Sequence, residues 1–480
     1  MDISYVENME ELSRIIDLLS LHEKCFNIET LYLKRTLAND NVLFELTKHN
    51  IFYNLLELDL SYSDHVTSKF IEHISKCETK LKLKTLKLQG CSEIDDEAIK
   101  IISTSDIFNQ LKDLYLNENL GITEKSIQYL ASARNKILLE TLEISNCGIN
   151  PYQALPLLRS RRFSNMKWLN LSNLLMQNTK NVRILFEKSP FAENLKILIL
   201  RNCNLNNDII KIFFRSQKFQ KLLYLDLFGN NFDDSIKEDF SRASFQNSLR
   251  HLVISKNFIS QQFLKKLALS KCYQNLETLK ITGCKTVTSL EALSYRKNLP
   301  FKKLSLKKIL TNTMELENIF QKSFFNLEAL NLDQMRGKLN FKYIFNSIGV
   351  GTSKLQKLKL GCDKIDKDSL ILLFKNIKFP YLKDLTINTN ENISDCFEDV
   401  ISTQVFESLT SLVVKYNTKL DDQKICFLKK CENLPVLKEL NLLGCHNISR
   451  QCLQEIMSGS SMKFLDIIVY GPYEVMLREH

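Results

Sequence analysis

Glycine and proline are scarce in this 480-residue chain, 12 and 7 residues respectively, so no flexible linker marks a domain boundary. No apolar run approaches the roughly 18 residues that cross a bilayer as a helix, and no membrane contact is expected. The N-terminus, MDISYVENMEELSRIIDLLS, carries acids where a secretory leader carries positive charge before an apolar run. Without such a leader, the thirteen cysteines are expected to be reduced thiols, in the cytoplasm or the nucleus. Catalytic signatures are missing as well. The chain has no Gly-x-x-x-x-Gly-Lys-Ser/Thr phosphate loop, no His-Glu-x-x-His zinc pair and no Gly-x-Ser-x-Gly nucleophile elbow. An enzyme is therefore not expected, nor is a cofactor. The net charge of +10 is mild for this length and permits an acidic partner without demanding one.

What is present is a repeat. The template Leu-x-x-Leu-x-Leu recurs as IETLYL at Ile28, LLELDL at Leu55, LKTLKL at Leu83, LKDLYL at Leu111 and LETLEI at Leu139. It continues through MKWLNL at Met166, LKILIL at Leu195, LLYLDL at Leu222, LRHLVI at Leu249 and LETLKI at Leu276. FKKLSL at Phe301, LEALNL at Leu327, LQKLKL at Leu355, LKDLTI at Leu382, LTSLVV at Leu409 and LKELNL at Leu437 follow, with a weaker MKFLDI at Met462. These are seventeen copies at intervals of 25 to 29 residues. Each alternating Leu-x-Leu core predicts a short strand whose leucines point one way and whose x residues point the other.

After two further residues, ten copies place Cys or Asn: Cys91, Asn119, Cys147, Cys203, Asn230, Asn257, Cys284, Asn390, Asn417 and Cys445. The chain must turn there; a buried Asn can bond the loop backbone, and Cys is a small, commonly buried alternative. Helical patterns come next, as in 93–102, 121–130, 420–428 and 447–456, opened by Asp, Thr or Ser suited to an N-cap. The cluster Cys426, Cys431, Cys445, His446 and Cys452 invites a zinc reading. Yet Cys445 occupies the repeated turn position and Cys431 has equivalents at Cys77 and Cys272, so structural cysteines and no metal site are expected.

The chain resembles the leucine-rich repeat proteins over essentially its whole length. The period near 27 with a helix in each unit resembles the ribonuclease-inhibitor-like branch; the Leu-x-Leu-x-x-Cys turn resembles the cysteine-containing branch found in the repeat half of F-box adaptors. The resemblance implies an α/β solenoid, a horseshoe with a parallel sheet on the concave face and helices on the convex face. Strands about 4.8 Å apart against helices needing roughly 8–10 Å set that curvature. The expected organisation is an N-terminal capping helix at 1–27 (with Ile15, Leu18 and Leu19 on one face), one repeat array at 28–470 and a tail at 471–480. An F-box adaptor would carry a ligase-binding module ahead of its repeats, and only 27 residues precede Ile28. The resemblance thus covers the recognition half.

Function is expected on the x positions of the strands. Nine basic and nine acidic residues among these 51 leave the face neutral, whereas a groove that tracks phosphates is strongly basic; nucleic acid is not expected. Copies two to five present Glu57, Asp59, Asp113 and Glu143 with Lys87. Copies six to nine present Trp168, Ile197, Ile199, Tyr224, Phe228, His251 and Val253, including the chain's one tryptophan. Copies ten to thirteen present Lys280, Lys303, Lys307, Lys357 and Lys359 against Asp333. An exposed apolar patch flanked by charge marks a binding site. The expectation is a monomeric, non-catalytic scaffold that binds a protein partner through this patch, with the lysines as a basic flank. It would act as a substrate adaptor or, alternatively, as an effector or inhibitor that occludes another protein.

Overall fold

The computed structural model describes the chain except residues 7, 22–27, 49–53, 77–81, 271, 297–298, 323–325, 338, 345–353, 362–364, 377–378, 389–390, 460, 472–474 and 479–480. Two compact units are formed, Met1–Leu249 and Arg250–His480.

In the first unit eight three-residue strands, from Thr30–Tyr32 to Tyr224–Asp226, pair in parallel, each with the strand of the next repeat. The central leucines align in one column: Leu31, Leu58, Leu86, Leu114, Leu142, Leu169, Leu198 and Leu225 are register partners, and all are buried. The second unit repeats the arrangement from Leu252 through Leu279, Leu304, Leu330, Leu358, Leu385, Leu412 and Leu440 to Ile468. Burying a leucine contributes about 1.5–3 kcal/mol, and stacking lends each short strand the neighbours it cannot supply itself. Strand, turn and helix on a buried leucine column constitute the leucine-rich-repeat fold.

Sixteen of the repeat starts read from the sequence lie in register with the observed strands; the last does not. Ile467–Val469 pairs with Glu439–Asn441, which places the final repeat at Leu465, three residues beyond Met462. Met462 is buried in the turn before the strand, and Phe464 is exposed. An aliphatic residue in that preceding turn mimics the first position of the template. The segment expected as a tail contains the strand Val475–Leu477, antiparallel to Ile467–Val469. At the other end, Asp2 bridges Tyr32 in parallel, and Met9–Leu21 forms a helix. Leu12 is buried there and Ile15 half-buried, but Leu18 is 62% exposed and is not on the packed face; the side chain of Leu19 lies outside the described residues. Extra backbone on an end strand shields it from edge-to-edge pairing.

Helices start where the caps predict. Asp95, Thr123, Asp421 and Ser449 each accept a backbone N–H of the helix they open. Not every repeat carries an α-helix, however. The shortest interval, 25 residues from Leu276 to Phe301, accommodates only the 3₁₀ turn Glu291–Tyr295. The longest, 29 residues from Met166 to Leu195, absorbs its excess as a π turn at Ile184–Lys188.

The Cys/Asn position acts as one ladder. Cys91, Cys147, Cys203, Cys284 and Cys445 each direct a thiol at the last strand carbonyl of the preceding repeat, at 3.0 to 3.4 Å. Asn119 and Asn230 donate to the equivalent carbonyl, of Leu88 at 2.7 Å and Leu200 at 2.8 Å. Asn390 lies outside the described residues. The residue just before this position is left-handed in repeat after repeat, including Tyr62, Gly90, Glu118, Gly229 and Gly444. At Gly229, where φ is +68°, a Cβ would stand 2.1 Å from Asn202 Oδ1, so a larger residue there would require Asn202 to move. Among the described residues, no group of three His, Cys, Asp or Glu is arranged to hold a metal, and no helix is long and apolar enough to cross a membrane.

Candidate protein-binding face

Alternation along each strand turns the residues flanking the leucine column away from the core. In the first unit Trp168, Ile197 and Tyr224 are register partners on three consecutive strands, so they form one row at steps of about 4.8 Å. All three are half-buried. Trp168 was expected to stand in solvent; instead its indole N–H is buried and meets no acceptor among the described residues. The next row carries Asn170, Ile199 and Asp226.

Asp226 anchors this apolar stretch. Its side chain is 0% exposed, and Arg201 Nε donates to Oδ2 at 2.7 Å while the Phe228 amide donates to Oδ1 at 3.0 Å. The Tyr224 hydroxyl lies 3.4 Å from Oδ2, and the Arg201 guanidinium sits 5.9 Å from the Phe228 ring centre. Burial is the largest influence and works against the Arg201 charge, but the bond to Asp226, the Asp226 charge and Tyr224 together outweigh it and hold the pKa above its ordinary value. Burial, then the Asp226 charge, pushes the Tyr224 phenol up. The patch is therefore a row of aromatic and aliphatic groups with an internal ion pair against its Tyr224 end. Sequence reasoning missed Arg201 and Asp226, although their opposite charges at outward positions of adjacent repeats were a usable signal.

The acidic stretch of the same unit is internally satisfied. Lys87 Nζ lies 2.6 Å from Glu57 and 3.7 Å from Asp59, between the rings of Tyr32 and Tyr115 at 5.8 and 5.7 Å. Asp113 accepts from the Thr85 hydroxyl at 3.0 Å and Glu143 from the Asn117 amide at 2.6 Å.

In the second unit, two residues expected in the apolar patch play other parts. Val253 is only 3% exposed and offers no accessible surface. His251 Nδ1 lies 2.9 Å from Thr278 Oγ1, and burial holds its pKa below the ordinary value. The five lysines of the basic flank do come together. They line one trough of about 340 Å³ with Thr278, Thr282, Ser305, Ala329 and Asn331. Lys307 pairs with Asp333 and Lys357 with Asp384, whereas Lys280, Lys303 and Lys359 have no carboxylate partner among the described residues.

No family model matches the chain. The BTB/POZ domain-containing protein FBL11 of Arabidopsis thaliana is 27% identical over 292 residues, 56% of this chain and 28% of that protein. The chain thus spans little more than a quarter of that relative's length. Among solved structures, a chain of the yeast Rad7 and Elc1 complex aligns with a TM-score of 0.44 at 16% identity, over 96% of this chain and 88% of that one. A leucine-rich-repeat protein of Leptospira interrogans aligns with a TM-score of 0.39 at 17% identity, over 98% and 100%. Likenesses at this level carry nothing about function.

Proposed function

We propose that this chain is a non-catalytic recognition scaffold that binds a protein partner on the solvent side of its repeat sheet. The row Trp168–Ile197–Tyr224 carries the proposal: a line of half-buried, rigid, apolar side chains on consecutive strands. Tyrosine and tryptophan supply much of the energy of protein interfaces when their surroundings exclude water. Asp226 meets the Tyr224 hydroxyl and Arg201 lies over the Phe228 ring, so these two side chains lose less freedom on binding. The thiols of the turn ladder support the non-catalytic part of this reading, since desolvation pushes Cys91, Cys147 and Cys203 up to about 12 and so removes their nucleophilic form.

In finer detail, the chain is the recognition part of a substrate adaptor and a member of the cysteine-containing branch of the repeat proteins. The Cys/Asn turn ladder supports the branch. The test is affinity purification of the wild-type chain and of a Trp168→Ala/Tyr224→Ala variant with quantitative mass spectrometry. A partner depleted at least tenfold in the variant is the expected outcome, accompanied by ubiquitin-ligase subunits if the adaptor reading holds. Equal recovery of every partner would defeat the proposal.

A further inference from the structure

The trough in the second unit has an order that the lysine count alone does not reveal. Strand register places Thr278, Lys303, Ala329 and Lys357 in one row, and Lys280, Ser305, Asn331 and Lys359 in the next. Lys303 and Lys357 are therefore two strand steps apart, about 10 Å, with only a methyl group between them. Lys280 and Lys359 stand three steps apart, about 14 Å, with a hydroxyl and a carboxamide between them. Short side chains make the floor, and the four exposed lysines make the walls. Only Lys357 of these four is matched by a carboxylate, Asp384 of the following strand. Three lysines without a carboxylate partner among the described residues thus line one small volume.

We infer that this trough binds a phosphorylated serine or threonine side chain of the protein partner, an assignment that rests on the scaffold reading above. A phosphoryl group brings nearly two negative charges and three acceptor oxygens. Seated over Ala329, it would meet Lys303 and Lys357 from either side. The Ser305 hydroxyl and the Asn331 amide lie at the floor of the next row as further donors. A lone carboxylate, with one charge and two oxygens, leaves most of that donor set unused. A nucleic-acid backbone fits less well, because it demands a continuous cationic track. Here the positive rows span only the strands from Thr278–Lys280 to Lys357–Leu360, and the next strand presents Asp384. Just beyond Lys307, a second depression of about 460 Å³ at the strand ends presents Lys285, Lys308 and Arg336. Acidic residues flanking the phosphorylated one would find their partners there.

The experiment uses the full chain on beads carrying degenerate peptide libraries that differ only in a fixed central phosphoserine, serine or glutamate. A single-stranded oligonucleotide serves as competitor. Retention on phosphoserine should exceed that on serine at least tenfold and that on glutamate severalfold, and should weaken as salt rises. Lys303→Gln/Lys359→Gln should abolish the preference, Lys303→Arg should keep it, and Trp168→Ala should leave it intact. All of these side chains except Trp168 are exposed, and an unchanged thermal midpoint confirms that each variant is folded. Equal retention on glutamate, no preference at all, or more effective competition by the oligonucleotide than by free phosphopeptide would each overturn the assignment. Loss of phosphoserine binding with partner capture intact removes this inference alone. Loss of partner capture in Trp168→Ala/Tyr224→Ala concerns the other row and leaves the trough result standing.

Discussion

Arg201, in the turn after Ile197–Ile199, donates to Asp226 of the adjacent strand at 2.7 Å, and the carboxylate it meets has no solvent exposure. A half-exposed cation thus shields a fully buried anion in the row beside Trp168, Ile197 and Tyr224.

Removing the cation should hurt more than removing a surface pair. Arg201→Ala leaves the Asp226 carboxylate with the Phe228 amide and the Tyr224 hydroxyl alone. Breaking a fully buried pair costs about 3–5 kcal/mol; because the Arg201 side chain is 49% exposed, water compensates in part, and about 2 kcal/mol is expected. Urea denaturation of Arg201→Ala, Asp226→Asn and the double variant measures the coupling. Additive effects would show that the pair is not coupled.

Thiol chemistry should distinguish the turn ladder from Cys426, the one exposed cysteine among the described residues. Cys91 and Cys203 are buried, and burial raises both to about 12, so the thiolate that reacts is almost absent at neutral pH. Cys426 is exposed. Labelling of the native chain with a chromogenic disulfide should modify Cys426 within minutes and reach Cys91 and Cys203 only on unfolding. Rapid native labelling at Cys203, located by peptide mapping, would contradict the burial.

Acidification should weaken the second unit through His251. Burial lowers its folded pKa, Glu277 opposes this, and Lys303, Arg250 and Lys280 reinforce it. A depressed folded value means that the unfolded chain takes up the proton first. The stabilising contribution is therefore complete above the unfolded value of about 6.5 and declines as pH falls through the folded one. Chemical denaturation at pH 7.5 and 5.5 should show a smaller loss for His251→Asn than for the wild type. An identical loss would assign the pH dependence elsewhere.

Much of this architecture was legible because one physical rule repeats. A Leu-x-Leu strand must bury its leucines, so Leu114 and Leu330 could be placed without coordinates. The final register was lost because Met462 is buried like a strand leucine while belonging to the preceding turn. The lysines of the trough were found because side chains at equivalent x positions of neighbouring repeats meet through register alone. Contacts that depend on reach across rows were not visible: Arg201 crosses to Asp226, and Lys87 is shared between Glu57 and Asp59. Val253, at a nominally outward position, is also buried. The left-handed turn residue also escaped notice, since Tyr62, Glu118 and Lys308 fill it as well as glycine does.

The chain contains one tryptophan, Trp168, and it stands in the row proposed to meet the partner. Its fluorescence therefore reports that surface without a label. Titration with a purified partner free of tryptophan should shift the emission to shorter wavelength and reduce acrylamide quenching at least twofold at saturation. A partner that binds fully, as shown by an independent assay, while leaving both emission and quenching unchanged would contradict recognition on this face.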